Sequence, residues 1–148
     1  MSDFRVDNQM GFLLRLAHQK ANANLATRLS PLDLTPPQAT VLVRLLERGE
    51  LSQNLLGRLV AMESANIRDV VLRLRRRRLI AARKSKEDAR VVLLNLTPVG
   101  LELARSLIPI SIDSVAATLS ALSAHERRAL RQLLRKVIDG SAHQQRTT

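Results

Sequence analysis

The stretch LSQNLLGRLVAMESANIRDVVLRLRRRR, residues 51–78, decides the fold of this chain. It holds two helix-length segments on either side of a short break. Before the first, Ser52 offers a hydroxyl oxygen where a starting helix leaves its N–H groups without partners. In the second, Ile67, Val70, Val71 and Leu74 recur at i, i+3, i+4 and i+7 and form one apolar stripe. The opposite face carries Asn66, Arg68, Asp69, Arg73 and Arg76. Two helices joined by a tight turn, the second basic on its outer side, make the helix-turn-helix pattern.

Downstream the period changes. "LIAAR" (79–83) predicts a strand, "KSKED" a polar turn, and "ARVVLLNL" (89–96) a second, β-branched strand, together a hairpin wing. Thr97 and Pro98 then restart a helix that runs to about Pro109 and continues, kinked, towards Leu122. Ser123 and Glu126 form a capping box for a last helix through Ile138, which Gly140 ends. Upstream, residues 10–29 read as a long helix. "TPPQ" opens another, with Thr35 as cap, Pro36 first and Gln38 closing the box, and this one stops near Gly49.

Composition sets the class. The chain has 148 residues, a length that fits one domain. Hydrophobic residues make up 45% and aromatic ones 1%, so the core is Leu, Ile, Val and Ala, which suits helix packing. The formal charge is +11, and ten basic against three acidic residues lie between Arg68 and Arg90. So local an excess points to a polyanion. There is no cysteine, which removes disulfides, thiolate catalysis and zinc-thiolate sites. The N-terminus has no basic n-region, and no apolar run approaches the ~18 residues of a membrane span. A cytoplasmic protein without membrane association is expected. His18, His125 and His143 show no metal-ligand spacing, and no nucleophile–base pair or phosphate loop is present, so neither a metal site, a cofactor nor an enzyme is expected.

Residues 51–74 followed by "LIAARKSKEDARVVLLNLTPVG" resemble the multiple-antibiotic-resistance regulator (MarR) family of winged-helix transcription factors. The resemblance spans nearly the whole chain. Its wing signature is Asp88 and Arg90 as Asp-x-Arg, a strand ending at Leu96 and Thr97, and Gly100 in the next helix. Arg78 stands where the family commonly has a glycine, which calls for an ordinary backbone angle or modest strain there. Leu55 stands where an acid often completes a cap, and Ala82 replaces a frequent basic residue that Arg83 beside it compensates. The resemblance implies a mainly α fold with a small β-hairpin wing in a single domain over 1–148. A winged helix-turn-helix lobe (34–97) is flanked by dimerisation helices (8–30 and 98–140) and followed by a flexible tail (141–148). The Leu/Ile/Val/Ala content of the flanking helices independently points to a homodimer.

The DNA-binding candidates follow from chemistry. Ser64, Asn66, Arg68, Asp69, Arg73 and Arg76 lie on the first turns and outer face of the second helix. Arg takes a guanine edge bidentately, Asn an adenine edge, and Asp accepts from cytosine. Asp69 either reads a base or pairs with Arg73 at i+4. Arg75, Arg77 and Arg78 read as flanking charge or inter-element pairs. In the wing, Lys84 and Lys86 suit phosphates, and Arg90, oriented by Asp88, suits a narrow minor groove or a structural salt bridge. The resemblance further implies a small-molecule site, often for aromatic acids, between the dimerisation helices and the DNA lobe. There Arg15, His18 and Asn22 share a polar strip with Gly11: Arg15 for a carboxylate, His18 or Asn22 for a ring heteroatom, with Phe12, Leu16 and the helix 36–48 as walls. The expected function is a dimeric repressor that binds a double-stranded DNA operator and is released by a small aromatic acid. The competing reading is an architectural DNA-binding protein with no ligand.

Overall fold

Thr35 opens its helix as the spacing predicts. Gln38 N–H donates to Thr35 Oγ1 (3.4 Å) and Thr35 N–H to Gln38 Oε1 (3.0 Å), so each residue satisfies a backbone group of the other. The computed structural model describes residues 4–144. After a single 3-10 turn come α1 (Met10–Leu29), a second 3-10 turn (Ser30–Leu32), α2 (Pro36–Arg48), β1 (Leu51–Ser52), α3 (Gln53–Leu59) and α4 (Ser64–Arg76). Then follow β2 (Ile80–Lys84), β3 (Val92–Leu96), α5 (Pro98–Thr118) and α6 (Ala124–Gln144). The architecture is mainly helical with a small wing, as expected.

The wing is a sheet of three antiparallel strands in the order β1-β3-β2, rather than a bare hairpin. Leu51 pairs with Leu94, Ile80 with Leu96 and Lys84 with Val92. The lobe closes over Leu42, Leu45, Leu56, Leu74 and Leu94, all shielded from solvent. Each such leucine stabilises the fold by about 1.5–3 kcal/mol relative to leaving it exposed. The α4 stripe of Ile67, Val70, Val71 and Leu74 is buried in this core.

Helix α5 packs on α1 and α2 and carries Pro109 inside it. It ends at Thr118, short of the expected Leu122. Asn24 of α1 donates to Thr118 Oγ1 (2.9 Å), which fixes the two helices' register. Among the described residues, helix α6 makes no extended contact with another element of its own chain. Its root is held by the Ser123–Glu126 box and by Arg127, whose Nε donates to the Leu119 and Leu122 carbonyls (both 3.1 Å). It also runs through Gly140 to Gln144 instead of stopping at Gly140, because nothing there bends the chain into a left-handed cap. The rest of the expected tail, 145–148, lies outside the described residues.

Candidate nucleic-acid interface and effector groove

The surface of α4 is polar and basic. Ser64 is its first residue, and Ser64, Asn66, Arg68, Asp69, Arg73 and Arg76 are all exposed, opposite the buried stripe. Asp69 Oδ2 accepts from Arg73 Nε at 3.1 Å, so the acid holds the base at i+4. Among the described residues, Arg68 and Arg76 make no side-chain hydrogen bond or ion pair, which leaves their guanidinium groups available to a partner.

The four consecutive arginines divide into distinct roles. Arg75 and Arg76 sit in the last turn of α4, where positive charge complements the helix dipole. Arg77 reaches back to the 3-10 turn before α2, donating from Nη1 to the Asp33 carbonyl (2.5 Å) and from Nη2 to the Leu32 carbonyl (3.2 Å). This clamp ties the end of α4 to the start of the lobe. Arg78 adopts φ +57°, a left-handed conformation that favours glycine, so the turn carries strain where an ordinary angle was the alternative. Two contacts over-determine it. Thr97 Oγ1 donates to the Arg78 carbonyl at 2.7 Å. A Cβ on Gly100 would stand 1.8 Å from the Leu79 carbonyl oxygen, so α5 starts in direct backbone contact with the turn.

At the wing tip, Arg90 grips Asp88 bidentately, Nε to Oδ1 (3.1 Å) and Nη2 to Oδ2 (3.3 Å), and Asp88 Oδ1 also accepts from the Arg90 backbone N–H (3.0 Å). These bonds hold the Asp88 carboxyl below its usual range. The Arg90 side chain is nonetheless 92% exposed, a pre-oriented cation facing solvent. Lys84 ends β2, and Lys86 lies in the exposed turn after it. At the wing's base, Glu50 accepts from Arg83 Nε (3.0 Å) and Nη2 (2.5 Å), and from Asn95 Nδ2. The Arg83 bonds hold the Glu50 carboxyl below the ordinary glutamate range. The sequence reading passed over Glu50 and Asn95, since no local pattern joins residues 45 apart.

Two depressions matter on this surface. One of about 560 Å³ is lined by Asp33, Arg73, Arg76 and Arg77 and belongs to the basic face. The other, about 360 Å³, lies where α1, α2 and α5 meet, and it is mostly apolar. His18 and Asn22 line it, with Leu25, Pro36, Val115 and Leu119 as walls and Thr40 and Ser111 as hydroxyls. The structure thus brings together two of the three expected ligand residues. Arg15 is exposed on α1 a turn before His18 and does not line the groove. Nor do Phe12 and Leu16. The helix 36–48 does contribute a wall, through Pro36 and Thr40, and another comes from α5, whose Ser111, Val115 and Thr118 were read only as part of a dimerisation helix. Among the described residues no cluster could hold a metal ion, and no helix is long and apolar enough to cross a membrane.

No protein-family model matches the chain. It is 35% identical over 136 residues to the HTH-type transcriptional repressor NicR of Pseudomonas putida, covering 92% of this chain and 86% of the relative. Among solved structures it is similar to BpsR of Bordetella bronchiseptica, described with a mechanism for regulation of its DNA binding by 6-hydroxynicotinic acid. The TM-score is 0.87 at 33% identity, over 93% of this chain and 99% of BpsR. It is also similar to a mutant of MarR from E. coli complexed with operator DNA, with a TM-score of 0.83 at 25% identity over 93% of this chain and 99% of that one. By their descriptions these proteins bind DNA or repress transcription.

Proposed function

The chain belongs to the MarR family of winged helix-turn-helix, DNA-binding transcriptional regulators, and from that footing we propose that it is a homodimeric cytoplasmic repressor released from a palindromic operator by a small hydroxylated aromatic carboxylate. In this reading residues 34–97 are the DNA lobe, and 8–30 and 98–140 the dimer arms. Arg68, Asn66, Asp69 and Arg73 read base edges in the major groove, helped by Ser64. Arg76, Lys84 and Lys86 neutralise phosphates, and Arg90, aimed by Asp88, enters the minor groove. The exposed apolar residues Leu14, Ile112 and Leu133 on α1, α5 and α6 support a second copy as partner. A dimer sets two recognition helices about one turn of DNA apart.

The observation that carries the effector reading is the position of the 360 Å³ groove. It is walled by α1 and α5 of the arm and by α2 of the lobe, and α2 also packs on α4. A ligand seated there touches both bodies, and it shifts the spacing of the recognition helices by its differential affinity for the two arrangements. The relation to BpsR supports a hydroxynicotinate or a close analogue. The test selects operator DNA from a random pool, then measures fluorescence anisotropy over hydroxynicotinates, hydroxybenzoates and phenylacetates. Release by one of these acids at millimolar concentration is expected. Release by none of them, or binding without sequence preference, overturns the reading.

A further inference from the structure

Resting on the effector reading above, we propose that Arg44 of α2, and not Arg15 of α1, takes the effector's carboxylate. Arg44 lines a second depression of about 150 Å³. That depression shares Leu25, Thr40 and Ser111 with the 360 Å³ groove, so the two meet along one wall. The guanidinium is half committed. Its Nη1 donates to Glu47 Oε2 at 2.9 Å. Its Nε is buried and has no hydrogen-bond partner among the described residues.

Buried donors in native proteins are nearly always satisfied, and an orphan calls for an explanation. A guanidinium takes a carboxylate through a fork of two N–H groups, one such fork being the edge that carries Nε–H. Glu47, half exposed, orients the end of the Arg44 side chain without claiming that edge. Arg44 and Glu47 both line that depression, and with Nη1 held by Glu47 the edge that carries Nε–H is the one left to a carboxylate seated there. Arg15 of the same chain lines neither depression.

The assignment has a mechanical consequence. With its carboxylate on Arg44 and its ring in the groove, the ligand presents its ring heteroatom to His18 or Asn22. It then ties α2 of the lobe to α1 of the arm. Charge recognition and release from DNA share one residue.

The test compares 6-hydroxynicotinate with its neutral counterpart 6-hydroxynicotinamide by calorimetry on the full chain. In the wild type the acid binds more tightly than the amide. Arg44→Gln lowers affinity for the acid by about 10- to 100-fold, the worth of hydrogen bonds to a charged group, and barely changes the amide, so the preference collapses. Arg44→Lys, which keeps the charge and loses the fork, falls between the two. Should Arg44→Gln not fold, a reduced acid-to-amide ratio in Arg44→Lys carries the same result. An undiminished preference in the Arg44 variants, or a collapse in Arg15→Ala instead, overturns the Arg44 assignment and leaves the effector reading standing. A wild type that binds neither compound, and none of the wider acid panel, overturns both.

Discussion

Helices α4 and α6 are built on the same plan and meet opposite fates. In α4 the stripe Ile67, Val70, Val71 and Leu74 is buried within its own lobe. In α6 the residues Leu130, Leu133, Leu134, Val137 and Ile138 fall at the same spacing. There Leu133 and Ile138 remain 61% and 69% exposed. An amphipathic period states that a face must be covered and says nothing of what covers it. For α4 the cover is the same chain. For α6 the proposed cover is a second copy, because an exposed apolar stripe of this size marks an interaction surface.

The most disruptive way to break this comparison is Leu133→Glu combined with Ile138→Glu. If α6 is covered by a second copy, sedimentation gives a monomer and operator affinity drops by about 10²- to 10⁴-fold, the avidity of linked half-sites. A dimer with undiminished affinity would place the interface elsewhere. Inside the lobe, Gly100→Ala drives a methyl group into the Leu79 carbonyl. It should lower unfolding free energy by roughly 3 kcal/mol, read from the denaturation midpoint. An unchanged midpoint would mean that α5 slides freely off the turn, and the lobe would lose its claim to be self-contained.

The next effect falls on the wing. Arg90→Ala should weaken operator binding by about 1–3 kcal/mol with the melting temperature held, since its side chain projects into solvent. Unchanged affinity with a lower melting temperature would make the Asp88–Arg90 pair a brace only. A smaller change of opposite sign is expected from Arg78→Gly. It relieves the left-handed strain at φ +57° and stabilises the protein by about 1 kcal/mol or less, part of the gain being offset by glycine's freedom in the unfolded chain. A lower melting temperature would show that the Arg78 side chain has a structural role.

The smallest effect is on pH. Glu50 has its folded pKa depressed from 4.5, so its bonds to Arg83 and Asn95 add stability above that value and lose it as pH falls through the folded pKa. The Asn95 side-chain amide resonance should therefore titrate below the ordinary glutamate range. A midpoint at the ordinary value would mean that the pair is not formed in solution.

Much of the fold was legible residue by residue. Thr35, Ser52, Thr97 and Ser123 all cap helices where their spacing placed them. The α4 stripe follows from a period of 3.6, and the two long wing strands from apolar, partly β-branched runs on either side of a polar turn. Strand β1 was not legible, because two residues, Leu51 and Ser52, are too short to show alternation, and Ser52 already reads as a cap. Of the effector strip, His18 and Asn22 were legible as polar neighbours on one helix. Their groove was not, since its far wall arrives from α5 about 90 residues away.

By itself, the sequence determined the helices and their caps, the helix-turn-helix with its basic face, and the absence of thiol chemistry. These depend on groups within a few residues of one another, where backbone geometry alone sets the distances. Tertiary structure alone decided that Arg77 is a clamp, that Arg78 turns left-handed against Gly100 and Thr97, that Glu50 anchors the wing, and that Arg44 rather than Arg15 lines a depression beside the groove. Each of these joins elements distant in sequence. Their meeting is set by how whole helices pack, and no local spacing encodes that.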